Sequence, residues 1–297
     1  MHNQIILGNN LEILQTFQSE FVDLIYLDPP FCTQRNFKEF DDRWEWNDEC
    51  QQNFLLIAEK YPAIVDFINS IEATHSKAMK AYITYITQRM IELYRILKET
   101  GSIYLHCDPT ASHYLKQMMD CIFGRKNYKN EIIWHYQAGT KSKKFFGRKH
   151  DVILVYGKSD NAIHNRIGKP VVNADRYKYT SDDGRLYDVN GQGRRYYLDE
   201  GQTCDDVWTY TQEKQFQQLN SQSKERTGYP TQKPLALLHR IIKASSKEGD
   251  LVLDPFCGCA TTCVASEQLK RKWIGIDIEA KAVEVSNQRI KQLNVNL

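Results

Sequence analysis

Apolar residues in this chain occur in short unbroken runs separated by longer stretches with a helical repeat, the pattern expected of alternating strands and helices. Ile5-Ile6-Leu7 predicts a short buried strand, Gly8-Asn9-Asn10 a turn, and Leu11, Leu14 and Phe17 one face of a short helix. Val22–Leu27 predicts a second strand. From Lys77 onward, Tyr82, Ile86, Met90, Leu93 and Leu97 recur at spacings of four, four, three and four, which gives a helix one apolar face. Gly101 is expected to stop that helix before a strand over Ser102–His106. Asp108 with Pro109 reads as an N-cap and first helical position, in a helix that Gly124 closes. Ile132–Trp134 and Val152–Tyr156 are two further strands. The alternation resumes with a helix at Leu235–Ser245, a strand at Asp250–Leu253, a helix over 260–270, a strand at Lys272–Ile276 and a final helix from Ala280 to Leu293. Such alternation predicts an α/β fold with a doubly wound, mostly parallel sheet.

Two stretches depart from the pattern. Residues 32–77 are less regular; they read in part as a loop over the end of the second strand, or as an ordinary surface excursion with buried tryptophans. In residues 159–227 apolar periodicity fades while Gly, Asp, Arg, Tyr and Gln rise, as in Asn190-Gly191-Gln192-Gly193-Arg194-Arg195-Tyr196-Tyr197. That segment is expected to be an inserted region of short strands and polar loops, on a core formed by residues 1–158 and 228–297.

Composition narrows the class. Of 297 residues, 41% are hydrophobic and 26% charged, as in a globular protein. No apolar run approaches the roughly 18 residues of a membrane span, and Met1-His2-Asn3-Gln4 lacks the basic start of a signal peptide. A cytoplasmic location with no membrane partner is the expectation. Eight cysteines at 32, 50, 107, 121, 204, 257, 259 and 263 include no CxxC pair, so they read as small buried residues and no metal is expected. The net charge of +2 is unremarkable, but residues 125–149 hold eight basic residues against one acid, a local net of +7. An acidic cluster (Glu39, Asp41, Asp42, Glu45, Asp48, Glu49) balances it elsewhere. That asymmetry suits a polyanion met on one face.

The chemistry concentrates at two strand ends. Leu24–Leu27 runs into Asp28-Pro29-Pro30-Phe31. The prolines lack N–H groups and force the chain out of the sheet, leaving the Asp28 carboxylate and the Pro29 carbonyl as acceptors beside the Phe31 ring. Two acceptors and a ring suit a planar base with an exocyclic amine, although the same residues also describe a strand stopped by a proline turn. Downstream, Leu251-Val252-Leu253-Asp254-Pro255-Phe256-Cys257-Gly258-Cys259-Ala260-Thr261-Thr262 reads as strand, small-residue turn and helix start, and nineteen residues after Gly258 the next strand ends in Asp277. A small turn plus an acid at the next strand end is the layout of a nucleoside-cofactor site, the acid accepting both ribose hydroxyls. Without a GxGxxG run, the turn fits S-adenosylmethionine, which has no phosphate, better than a dinucleotide.

Asp28-Pro29-Pro30-Phe31, Asp254-Pro255-Phe256-Cys257-Gly258 and Gly228-Tyr229-Pro230-Thr231-Gln232-Lys233-Pro234 together resemble the DNA amino-methyltransferases (the N6-adenine/N4-cytosine DNA methylase family), in the β-class order with the catalytic tetrapeptide first. The resemblance covers nearly the whole chain outside 159–227. It implies a site-specific enzyme that takes its methyl group from S-adenosylmethionine and delivers it to the N6 amine of an adenine swung out of double-stranded DNA. Asp28, Pro29, Pro30 and Phe31 would be catalytic. Asp254, Phe256, Gly258, Thr261 and Asp277 would hold the cofactor, with Thr231, Gln232 and Lys233 beside its methionine end, Lys233 being equally readable as a solvated helix start. Lys141, Lys143, Lys144, Arg148 and Lys149 would meet phosphates, while Arg185, Arg194 and Arg195 are candidates for guanine readout and equally readable as phosphate or surface residues. A homodimer and a cognate restriction enzyme are the partners the family suggests. The rival readings are N4-cytosine transfer, whose enzymes more often carry Ser at the position of Asp28, and a binding module that has lost catalysis. Where the family's turn has a second glycine this chain has Ala260, expected to keep an ordinary negative φ.

Overall fold

The structure, a computed structural model, describes residues 2–33, 42–137, 143–169, 174–211, 213–219 and 222–295. The chain opens with β1 (Gln4–Leu7), α1 (Asn10–Thr16) and β2 (Val22–Leu27). Asn9 caps α1 by accepting from Leu11 N at 3.0 Å. Next come α2 (Asp48–Lys60), α3 (Pro62–Thr74) and α4 (Lys77–Ile96), so most of the stretch expected to be irregular is a helical pair. Pro62 sits at the start of α3, and Ile64, Ile68 and Ile71 bury one face of it.

Helix α4 begins on Ser76, whose side chain accepts from Met79 N at 3.2 Å, and it stops earlier than its repeat suggested. Leu97 opens β3 (Leu97–Cys107), and Gly101 lies inside that strand rather than capping the helix. A Cβ on Gly101 would lie 2.5 Å from Leu97 Cδ1 and 2.9 Å from the Asp23 carbonyl, so the glycine serves strand packing. Asp108 accepts from Ala111 N at 3.0 Å and caps a leading turn, since α5 (Ser112–Phe123) starts beyond Pro109.

Strands β4 (Tyr128–His135) and β5 (His150–Gly157) follow. The stretch from 159 to 227 contains β6 (Gly168–Lys169), β7 (Tyr179–Thr180), β8 (Leu186–Val189), β9 (Arg195–Tyr197), β10 (Gln202–Thr203) and β11 (Val207–Thr209). β7, β8 and β9 form an antiparallel meander and β6 pairs with β10, but β11 joins the main sheet beside β4. Trp208 and Phe216 are buried in that sheet's core. The chain ends with α6 (Leu235–Ser245), β12 (Leu251–Asp254), α7 (Thr261–Gln268), β13 (Lys272–Asp277) and α8 (Ala280–Val295).

The eight-stranded sheet runs β1-β13-β12-β2-β3-β5-β4-β11, and β5 alone among its strands runs against the rest. Strand periodicity divides the side chains between two cores. Ile25, Leu27, Ile103 and Leu105 pack under α1 to α5, whereas Leu24, Tyr26, Tyr104 and Val252 pack under α6 and α7. Each fully buried Leu or Ile contributes roughly 1.5–3 kcal/mol. Every residue of β2 is buried, which makes its end a rigid platform.

Candidate active site

Three acids reach the same edge of the sheet because the register brings three strand ends together. Leu253 pairs with Ile25 and Asp254 with Gly275, so Asp28, Asp254 and Asp277 emerge side by side at the carboxyl ends of β2, β12 and β13. In open α/β sheets that edge is where ligands bind. All three acids line one cavity of about 360 Å³.

The β12–β13 side is shaped by backbone donors. Asp277 Oδ2 accepts from Gly258 N at 2.8 Å and Oδ1 from Glu279 N at 2.9 Å, which fixes the carboxylate at the cavity wall. Burial pushes its pKa upward against those bonds. Gly258 has φ +51, and a Cβ there would meet the Tyr229 ring at 3.2 Å, so the turn approaches the cavity as closely as a glycine permits. Asp254 is buried, with Oδ1 accepting from Phe256 N at 3.0 Å and Oδ2 from Thr262 Oγ1 at 2.6 Å. Burial dominates over both bonds, and its pKa is pushed up to about 7. Ala260 adopts the left-handed conformation at φ +59, ψ +37, against the negative φ expected for an alanine. Its neighbours impose the glycine-like geometry: Ala260 N donates to the Cys257 carbonyl at 2.7 Å, and the methyl group is fully buried. Cys257 and Cys263 fill the space against Gly275, and burial pushes both thiols up.

These residues fit S-adenosylmethionine. A glycine cradle meets a fixed acid able to accept two ribose hydroxyls, and a buried carboxylate with no ion pair among the described residues stands ready for a positive group. Asn9, Asn10, Tyr229 and Ile278 complete the wall, contributions the sequence did not single out. Phe256 and Thr261 line the same cavity, the latter's hydroxyl accepting from Arg289 at 2.9 Å.

On the β2 side, Asp28 divides its two oxygens. Oδ2 accepts from the Lys233 ammonium. Oδ1 is buried and has no hydrogen-bond partner among the described residues. Lys233 thus sits on Asp28, and Gln232 spends its side-chain oxygen on Thr227 N at 2.8 Å, shaping the turn while it lines the cavity. Thr231 precedes both at φ +57. Phe31 stacks on His106 with centroids 5.9 Å apart and planes at 23°. Just beyond it, buried Asp42 accepts from Cys32 N at 2.9 Å and Thr33 N at 2.7 Å, tying down the exit of the tetrapeptide. Glu39 and Asp41 lie outside the described residues.

A hydrogen-bonded chain supports Phe31 from behind. Tyr26 Oη meets His106 Nδ1 at 2.9 Å, His106 Nε2 meets Asp151 at 3.1 Å, and Tyr136 donates to Asp151 at 2.7 Å. Burial raises the Asp151 pKa, but the bonds from His106 and Tyr136 and the charge of Lys233 outweigh it and hold the acid below its usual range. A second cavity of about 390 Å³ opens here, lined by Phe31, Trp134, Tyr136, Asp151 and Arg226. It shares Phe31, Tyr229, Thr231, Gln232 and Lys233 with the first. The two cavities therefore adjoin at Phe31 and Lys233, and Asp28, bound to Lys233, lines the first of them.

Comparison with known proteins agrees with this layout. Residues 22–288 match the N6_N4 methyltransferase family model, described as DNA methylase. The chain belongs to the DNA methylase family. It is 39% identical to the type II methyltransferase M2.DpnII of Streptococcus pneumoniae over 98% of this chain and 91% of that protein. Identity to the DNA adenine methyltransferase YhdJ of Escherichia coli is 26% over 96% of this chain and 82% of the relative. In fold it is similar to the cytosine-N4-specific PvuII DNA methyltransferase, with a TM-score of 0.62 at 16% identity over 99% and 91% of the two chains. Its cofactor is the family's S-adenosylmethionine.

The methylase carries its expected DNA-contacting residues in two places. Lys143, Lys144 and Arg148 are exposed and Lys149 partly so, between β4 and β5; Lys141 lies outside the described residues. In the meander, Arg185 is bound to Asp199 and Glu200 at 2.9 Å each and lies over Tyr197, so its Nε and Nη2 donors are already engaged. Arg194 and Arg195 are exposed, each over a tyrosine ring. The Tyr26–His106–Asp151–Tyr136 chain and the Asp42 anchor were missed. The sequence signal of the hydrogen-bonded chain was a polar residue within or beside an apolar strand, and that of Asp42 was its place in the acidic cluster.

Proposed function

We propose that this methylase transfers a methyl group from S-adenosylmethionine to the exocyclic N6 amine of an adenine extruded from duplex DNA. The observation that carries the reading is the buried Oδ1 of Asp28, which has no hydrogen-bond partner among the described residues and lies in the first cavity, next to the Phe31 and Lys233 side chains that both cavities share. Burying such an oxygen costs about 1–3 kcal/mol unless a donor arrives, and an exocyclic amine supplies one. Asp28 Oδ1 and the Pro29 carbonyl accept the two amine hydrogens and turn the nitrogen lone pair toward the cofactor cavity. Pro30 keeps that exit rigid, and Phe31 stacks on the base, worth about 1–3 kcal/mol by analogy with single-strand binders. When bound, the cofactor supplies an electrophilic methyl on a positive sulfur. Asp277 and Gly258 hold the nucleoside end, Asp254 faces the positive end, and Thr231, Gln232 and Lys233 close the wall between the cavities. Positioning carries much of the rate.

Two features favour adenine. Asp rather than Ser stands at position 28, and one relative is named an adenine methyltransferase. Radiolabel transfer to duplexes whose methylatable bases are only adenine or only cytosine tests the assignment; label in cytosine alone would reverse it. In the same assay Asp28→Ala keeps cofactor binding and loses transfer by about a hundredfold or more, whereas Asp277→Ala weakens cofactor binding first. Wild-type transfer by Asp28→Ala would remove Asp28 from the catalytic site. The relatives named as type II methyltransferases motivate a cognate restriction enzyme as partner, and a homodimer is tested by its mass in solution.

A further inference from the structure

Strands β4 and β5 flank the second cavity, and the segment joining them carries an exposed feature that the transfer chemistry does not use. Tyr136 and Asp151, at the two ends of the segment, line the cavity beside Phe31. Tyr136 N donates to the Lys149 carbonyl at 3.0 Å, so the chain leaves and returns at one point, like a stalk. The pairings of Leu27 with Leu105 and of Cys107 with Val152 place this stalk at the same sheet edge as Asp28. Phe146 is 100% exposed and Phe145 84%. Around them stand Lys143, Lys144, Arg148 and Lys149, and residues 143–149 contain no acid.

An apolar ring held in water among four cations fits one kind of partner. Duplex DNA offers phosphates to the cations and base faces to the ring. A protein surface matched to the ring would leave the four charges without anions. We propose that Phe146 inserts into the base stack of duplex DNA and fills the gap left by the extruded target base. The inference rests on the methyltransferase reading above and adds to it the residue that keeps the extruded state open. The cations anchor the stalk on the backbone, and the ring replaces the stacking that the departing base gives up. Phe146 touches neither Asp28 nor the cofactor turn, so it positions DNA and performs no chemistry.

The test uses the full-length protein. The recognition sequence is first read from the modified DNA of an expressing host. Wild type and Phe146→Ala are then compared in single-turnover methyl transfer on two synthetic duplexes, one fully paired and one with an abasic residue opposite the target. Phe146→Ala is expected to slow transfer on the paired duplex by about fivefold or more, the equivalent of one base–aromatic stack, and to lose that defect on the abasic duplex, where opening is already cheap. Phe146→Trp should keep the wild-type rate, and the salt slope of binding should stay unchanged in both variants. Equal rates for wild type and Phe146→Ala on the paired duplex, or an equal defect on both duplexes, would overturn the inference. So would a variant that changes oligomeric state and leaves DNA methylation intact. A wild type that methylates no DNA would instead sink the functional reading, before any variant is compared.

Discussion

Asp254 shows how one buried carboxylate couples ligand, proton and fold. Its pKa rises from 3.8 to about 7 because burial disfavours the charge more than two hydrogen bonds favour it. The folded state therefore holds this proton longer than the unfolded chain does. The stability it contributes is fully present below pH 3.8 and is lost as pH rises toward about 7. A positively charged ligand reverses the balance, since it binds the ionised form. Calorimetric titration with S-adenosylmethionine should give tighter binding above about pH 7 than a unit below it, with the slope flattened in Asp254→Asn. Ala260 gives a second expectation at this scale. A left-handed L-residue costs about 1–2 kcal/mol, of which the greater unfolded freedom of glycine would return about 0.4–1. The fully buried methyl that glycine lacks offsets about 0.8 kcal/mol of that gain, so Ala260→Gly should leave stability within about 1 kcal/mol of wild type in denaturant melts, where an ordinary αR alanine replaced by glycine would lose stability, with cofactor affinity retained. Neither residue's state was readable beforehand, because alanine's usual φ and an acid's usual pKa are overridden by contacts distant in sequence.

Among the elements, those with a local signature were legible. The Asp28 and Asp254 strand ends carry their prolines with them, and the repeat in α4 is visible over four turns. Its last turn was not, because Leu97 continues the apolar spacing while its backbone has already entered β3. Helix α2 was hidden for a different reason: Leu55 and Leu56 point outward and blur its apolar face. Helix α3 was legible in principle, since Pro62 and the Ile64, Ile68, Ile71 spacing form a helix start and face. The Lys233–Asp28 contact joins residues 205 apart, beyond any pattern along the chain. The basic segment between β4 and β5 carries its own expectation. If Lys143 and Lys144 each meet one phosphate, replacing both with Gln should lower the salt slope of DNA binding by about 1.8, at about 0.9 per contact. An unchanged slope in a filter-binding series would place the phosphates elsewhere.

For the whole molecule, the sheet order decides when each part can exist. Strand β2, the platform of the site, lies between β3 and β12, and β1 pairs with β13 alone. On a ribosome, β2 is complete at Leu27 but one of its two neighbours only at Asp254, 227 residues later. At 5–20 residues per second that interval is roughly 10–45 s. Throughout it an apolar strand meant for the middle of a sheet presents an open edge, the feature most prone to pairing with another chain. The half of the site that carries Asp28 is thus built early and guarded late, and each nascent chain must keep that edge covered until its own β12 arrives.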